Sequence, residues 1–212
     1  YGYEKSTEDY PTVYLLDANN DFPLVTSISR RLEAEDDLMK FIIVGISYKD
    51  SVWKNRRADY TPSRAQAIEN SGGASNFALV IEKEIIPIIE KQIRVKKDSR
   101  TIAGHSLGGL FCSYLLLNGN VLFENYIISS PSMWWDDYFV LKNSKSPFHK
   151  SSIFISVGAL ENPHMLESSN KLATFIDENL ALSAKKLVRL EGENHASAKI
   201  RAYSDGLRWL FK

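Results

Sequence analysis

The segment best equipped for chemistry is Gly104-His105-Ser106-Leu107-Gly108-Gly109, which holds the pattern G-x-S-x-G between an apolar run and a helix-forming one. That context suits a nucleophilic serine. A serine on a tight strand-to-helix turn takes a strained backbone, so the positions two residues to either side must be small, and Gly104 and Gly108 meet that need. The helix after the turn aims its first N–H groups and its positive dipole end at the serine. The N–H of Leu107 is therefore the expected donor to an oxyanion.

A hydroxyl is a weak nucleophile at neutral pH and needs a base within hydrogen-bond reach, itself oriented by an acid. Four histidines compete for the first role. His105 lies inside the turn, with a side chain expected to point away from that of Ser106. His149 sits in a Lys- and Ser-rich stretch that reads as solvated surface, and His164 follows Pro163 at a helix start, a structural position. His195, in the polar run 191–197 between the last strand and the last helix, stands where the chain order serine, acid, histidine puts the base. The acid must fall between Ser106 and His195, just past the carboxyl end of a strand. Glu161 meets both conditions, with Glu167 next and Asp136 and Asp137 as further competitors, whereas Glu191 and Glu193 lie too near His195 in sequence.

These side chains need elements to hold them. Short apolar runs at 13–16, 41–46, 101–103, 126–128, 153–157 and 187–190 read as strands, several rich in β-branched residues as strands buried on both faces are. Helical spacing predicts helices over 75–93, where Pro87 is placed to kink the chain, 107–117, 164–182 and 197–211. Strands alternating with helices point to an α/β fold with a mostly parallel sheet covered on both faces. Two irregular stretches, 49–74 and 131–150, follow strands, so they are candidate walls of a site at the carboxyl edge of the sheet.

Composition narrows the classes. The chain has 212 residues, the size of one domain, with 26 Lys and Arg against 26 Asp and Glu. A formally neutral chain has no overall field to attract a polyanion or an anionic membrane surface, which argues against nucleic acid and membrane as partners. No apolar run approaches the ~18–20 residues of a membrane span. Cys112 is the only cysteine, so an intrachain disulfide and a cysteine-built zinc site are excluded, and its apolar setting reads as a buried, inert thiol. Oligomeric state and localisation are not legible in the sequence.

Taken together, these residues resemble the esterase family of α/β-hydrolases that includes esterase D, feruloyl and acetyl-xylan esterases and enterobactin-type siderophore esterases. Tyr10-Pro11-Thr12-Val13-Tyr14-Leu15-Leu16-Asp17 is similar to the family's YPVLYLLDG strand, and Arg56-Arg57-Ala58-Asp59-Tyr60-Thr61-Pro62 to its RxxDYTP segment. Gly104 to Leu110 is similar to GHSLGGL, and Ser130-Pro131-Ser132-Met133-Trp134-Trp135-Asp136 to SPSLWWD. The last two segments named beside the elbow favour the siderophore-esterase branch. The resemblance implies an α/β-hydrolase fold, Ser106, His195 and Glu161 as nucleophile, base and acid, and a second oxyanion N–H from the loop near Asn19. It also implies Arg56 against the acyl portion of a substrate, the alternative being a loop-anchoring ion pair with Asp59. Trp134 and Trp135 would floor an aromatic pocket or pack beneath their loop.

The chain departs from the family pattern at Ala18, where the family has glycine, so a left-handed backbone is closed to that position. Members usually begin with further strands, so the chain is expected to be a shortened one with an uncovered sheet edge. The expected activity is cofactor-independent hydrolysis of a carboxylic ester, small or carbohydrate-linked, through an acyl-enzyme. Transfer of the acyl group to an acceptor alcohol is the alternative, and a non-catalytic binding module the remote one.

Overall fold

Each apolar run that is buried on both faces becomes a strand. In the computed structural model, which describes residues 3–36, 38–65, 68–145, 150–180 and 183–212, six strands form one parallel sheet. They are β1 (Tyr10–Leu15), β2 (Ile42–Gly45), β3 (Val95–His105), β4 (Asn125–Ser129), β5 (Ser152–Gly158) and β6 (Ala184–Leu190), in the order β2-β1-β3-β4-β5-β6. Around them lie α1 (Ala18–Asp36), α2 (Val52–Tyr60), α3 (Ala74–Val80), α4 (Ile86–Gln92), α5 (Leu107–Leu117), α6 (Phe139–Lys142), α7 (Pro163–Asn179) and α8 (His195–Phe211). This is the α/β-hydrolase arrangement.

Side-chain alternation along the strands builds two cores. Tyr14, Leu16, Ile102, Tyr126, Ile128, Ile153 and Ile155 face one side, where α5, α3 and α7 cover them with Phe111, Phe77 and Leu172. Val13, Leu15, Ala103, Ile127 and Phe154 face the other, against Val25 and Leu32 of α1 and Tyr203, Leu207 and Phe211 of α8. Such two-sided burial, at roughly 25 cal/mol per Å² of apolar surface, is the main term holding the layers together.

Several elements differ from the sequence reading. β3 starts at Val95 rather than 101, because residues 96–100 that follow Val95 are polar and carry no apolar signal. They still pair with β1, Tyr10 to Val95, across a bulge that resets the register at Thr12 and Arg100. The predicted helix 75–93 is present as α3 and α4 joined by a π-helical turn, Ile81–Ile85. That wider turn comes immediately before Pro87, which has no N–H to give the ladder, so the helix absorbs its proline there. The stretch 49–74 contains α2, and 131–150 contains the short α6. Helix α1 carries no sequence signal strong enough to predict, with a low apolar content and Pro23 in its first turns.

The packing of α5 on β3 decides where the serine sits. A Cβ on Gly104 would stand 2.6 Å from the carbonyl carbon and oxygen of Gly108, and one on Gly109 would stand 2.9 Å from the Ser129 carbonyl oxygen. A Cβ on Gly108 would meet nothing nearer than Asp17 Oδ2 at 3.3 Å. The need for small residues therefore falls on Gly104 and Gly109 and only weakly on Gly108. Gly104→Ala is expected to destabilise the protein by about 2–3 kcal/mol, the range of core overpacking, and Gly108→Ala by much less. Urea unfolding of the two variants checks this, and equal losses would show that the crowding lies elsewhere.

Candidate active site

Ser106 lies between β3 and α5 with φ 60° and ψ −117°, a backbone that a non-glycine residue holds only under constraint. The constraint is visible. Its N–H donates to the Ser129 carbonyl at 3.0 Å, and its own carbonyl accepts from Leu110 N–H at 2.9 Å and Ser132 N–H at 3.2 Å. Strand β4, helix α5 and the loop after β4 thus fix the residue from three directions.

His195 is the first residue of α8, not a loop residue as expected from the sequence. Asn194 makes the difference. Its side chain accepts from the N–H groups of Ala196 and Ser197, and Ser197 Oγ accepts from Asn194 N–H, a reciprocal cap that starts the helix two residues early. His195 Nε2 stands 3.1 Å from Ser106 Oγ, and its Nδ1 stands 2.7 Å from Glu161 Oε2. The second distance anchors one edge of a ring that is otherwise 44% exposed.

The Glu161 side chain has no exposure at all. Its Oε1 accepts from Gly158 N–H at 2.9 Å and from the Ser130 hydroxyl, while Oε2 faces His195. Burial alone would raise its pKa, but the hydrogen bonds from His195, Ser130 and Gly158 outweigh it and hold the carboxyl below its ordinary value. The competing acids are elsewhere. Glu167 is an exposed partner of Lys171, Asp137 pairs with Lys142, and Asp136 is exposed. Ser130 is a participant the sequence reading missed, though it opens the Ser130-Pro131-Ser132 segment, and it too has a positive φ of 43°.

On the oxyanion side, Leu107 N–H opens α5 without a backbone partner among the described residues. The N–H of Ala18 is committed to the Ile46 carbonyl at 3.0 Å, whereas that of Asn19 has no such partner. The left-handed turn closed to Ala18 is taken by Asp17, with φ 55°. Asn19 keeps its place through its side chain, which donates to the Tyr48 carbonyl at 2.7 Å and accepts from Tyr48 N–H at 3.0 Å.

Two recesses meet at Ser106 and His195. One is polar and lined by Asp17, Asn19, Asp21, Trp53, Arg56 and Lys199, among others. The other is more apolar and lined by Ser132, Trp134, Asn162, His164 and Met165, an open hollow of about 900 Å³ including solvent. Arg56 does not pair with Asp59, the partner weighed from the sequence. Its Nε donates to Asp17 Oδ1 at 2.6 Å and Nη2 to the His105 carbonyl at 3.2 Å, while Asp59 accepts from Tyr48 OH. Asp17, buried beneath this guanidinium, is still pushed above the ordinary carboxylate range by desolvation. The tryptophans part company. Trp134 is 41% exposed at the recess, its indole N–H on Met165 Sδ, and Trp135 is buried beneath the loop with its indole N–H on the Ser63 carbonyl. His164 faces the apolar recess rather than serving only a helix start. His105 does not stand clear of the site, since its ring lies 4.5 Å from that of His195, centroid to centroid. His149 lies outside the described residues. Cys112 is buried, and burial pushes its thiol well above its ordinary range. Among the described residues no group of three or more His, Cys, Asp or Glu is placed to hold a metal, and no helix is long and apolar enough to cross a membrane.

Comparison with known proteins agrees in kind. Residues 1–203 match the family described as "Putative esterase". The chain is 33% identical over 227 residues to the ferri-bacillibactin esterase BesA of Bacillus subtilis, covering 94% of this chain and 78% of that protein. It is 28% identical over 238 residues to the siderophore triacetylfusarinine C esterase of Aspergillus fumigatus, covering 95% and 82%. Among solved structures, the BES protein of Bacillus cereus superposes with a TM-score of 0.84 at 33% identity, over 98% of this chain and 85% of that one.

The hydrogen bonds into Glu161 make a prediction about acid stability. A carboxyl held below its ordinary pKa by folding contributes stability that is present at neutral pH and is lost as pH falls through the lowered value. Ser130→Ala removes one of the three donors, so the folded-state pKa rises and that contribution is lost earlier on acidification. The variant is expected to lose about 1.5–3 kcal/mol at neutral pH, the worth of a hydrogen bond to a charged group, and to unfold at a higher pH than the parent. Acid titration followed by circular dichroism tests it, and coincident curves would mean that Ser130 does not support the charge.

Proposed function

The chain belongs to the esterase family matched above and is a serine ester hydrolase, and from that premise we propose that Ser106, His195 and Glu161 carry the reaction on the ester of an iron-chelating siderophore. The observation that carries the first part is the unbroken relay from Ser106 Oγ to His195 Nε2 at 3.1 Å and from His195 Nδ1 to Glu161 Oε2 at 2.7 Å. Acyl transfer to an acceptor alcohol draws no support from these relatives, which are named for hydrolysis.

In this reading Ser106 Oγ attacks the ester carbonyl as His195 Nε2 takes its proton. The carbonyl oxygen becomes an oxyanion facing the N–H groups of Leu107 and Asn19. His195 then gives the proton to the departing alkoxide, and a water activated by the same nitrogen cleaves the acyl-enzyme. Glu161 stays ionised throughout and compensates the imidazolium that forms in each half-reaction.

The substrate proposal rests on the relatives, one named for ferri-bacillibactin and another for triacetylfusarinine C, and on the two recesses that flank the serine. A substrate bulky on both sides of its scissile bond suits such a divided site better than a short acyl ester. Trp134, its rotamer held by Met165, offers a flat face to an aryl group. Arg56, tied to Asp17 and to the His105 carbonyl, borders the opposite recess together with Lys199.

Ser106→Ala is expected to abolish hydrolysis of p-nitrophenyl butyrate. Glu161→Gln should lose on the order of 10²–10⁴ in kcat, and Glu167→Gln should match the parent. A reversed ranking of the two glutamines would move the acid. On natural esters, kcat/KM for a ferric catecholate siderophore should exceed that for methyl ferulate by about tenfold or more, the value of one good extra contact. A preference for the feruloyl ester would place the enzyme with the polysaccharide esterases instead.

A further inference from the structure

We infer that His105, the residue before the nucleophile, is a positioning residue for the base: its neutral ring is the wall that keeps His195 aimed at Ser106. The inference rests on the reading of His195 as the base.

The ring of His195 is bonded at one edge to Glu161 and is 44% exposed, so a hydrogen bond at Nδ1 alone would let the ring swing about that edge. The opposing face is supplied by His105, whose ring is tilted 40° from that of His195 with centroids 4.5 Å apart. His105 is itself fixed. It is buried, its Nδ1 lies 3.0 Å from Ser129 Oγ, and its carbonyl accepts from Arg56 Nη2. Ser129 also accepts the N–H of Ser106 through its carbonyl, so the wall and the nucleophile are set by one residue of β4.

A wall against an imidazolium must not be charged. The groups facing this pair come from every neighbouring element: Glu161 after β5, Lys199 of α8, Arg56 of α2, and Asp17 and Asp21 beside the polar recess. Burial first, and then the positive charges of His195, Lys199 and Arg56, drive the His105 pKa down to about 3. His105 therefore stays neutral when His195 takes the proton from Ser106, and the new cation meets an aromatic face rather than a like charge. The position asks for a flat, uncharged ring, and its link to Ser129 secures the ring without being the source of the effect.

Two near-isosteric variants separate these parts. His105→Phe keeps the ring and loses the bond to Ser129, whereas His105→Asn keeps a polar partner for Ser129 and loses the ring. With p-nitrophenyl butyrate, His105→Phe is expected to keep kcat within about threefold of the parent. His105→Asn should fall by about tenfold or more, as a displaced catalytic group does, with KM within about twofold in both. A kcat in His105→Asn equal to or above that of His105→Phe, or a loss confined to KM, overturns the inference. The parent protein supplies a check free of folding effects: the ring signals of His105 in histidine NMR spectra should not titrate between pH 5 and 8, and titration there would equally overturn it. Ser106→Ala and His195→Ala run alongside. If either stays active the triad reading itself fails, whereas inactive controls with the wrong ranking at position 105 remove only the present inference.

Discussion

The close crossing of α5 over β3 is the constraint from which the rest of the site follows. Where Gly104 passes beneath Gly108, the room for a Cβ is gone, with only 2.6 Å to the Gly108 carbonyl. A chain that must leave a strand and begin a helix within that space has no relaxed way through, and Ser106 takes the strain as a positive φ. The consequence is functional. The turn lifts the side chain clear of both elements while the first N–H of α5 stays beside it, so one packing contact sets both the proposed nucleophile and the proposed donor for its oxyanion.

The same device recurs along the carboxyl edge of the sheet. The three adjacent strands β1, β3 and β4 are followed by Asp17, Ser106 and Ser130, with φ of 55°, 60° and 43°. None is glycine, and strain of this kind costs of order 1–3 kcal/mol at each residue. Each is clamped by the next piece of structure: Asp17 by Arg56 through its carboxylate and by Tyr60 OH at its N–H, Ser106 by Ser129 and Leu110, Ser130 by Glu161 and by the Ser156 carbonyl. The strain is thus shared by three neighbours that, respectively, turn the chain toward Asn19, present the Ser106 hydroxyl and support the Glu161 carboxylate.

What the sequence made legible follows from this distribution. Strands 126–128 and 153–157 and helix 107–117 carry their burial in their composition, so their places were readable. That Ser106, His195 and Glu161 would meet was readable from pattern and chain order, and the three side chains do lie within hydrogen-bond reach in turn. Helix α2 was not, since most of its residues are polar and only Arg56 and Tyr60 are buried, and it is held by those two side chains rather than by an apolar stripe. The contacts of Ser130 and His105 were equally hidden. Ser130 reaches Glu161 across 31 positions and His105 faces His195 across 90, so local pattern holds no trace of either contact. Ala18 shows the converse: its missing glycine looked like a defect in the oxyanion loop, yet the left-handed residue here is Asp17, whose carboxylate has a cation to hold it there.

The neutral net charge acquires a local meaning at this site. Arg56 and Lys199 border the polar recess, and left alone they would oppose any positive charge arising on His195. Each is matched instead by a carboxylate beneath it, Asp17 and Asp21, both with side chains under 15% exposed, and Tyr203 OH donates to the second. Those carboxylates offset part of the two positive charges, and the groups closest to His195 are the Glu161 carboxylate at its edge and the ring of His105 beside it. In the proposed reaction a proton moving from Ser106 to His195 separates charge where an anion, Glu161, already waits. That is how a chain with no overall field can still be electrostatically prepared for ester cleavage.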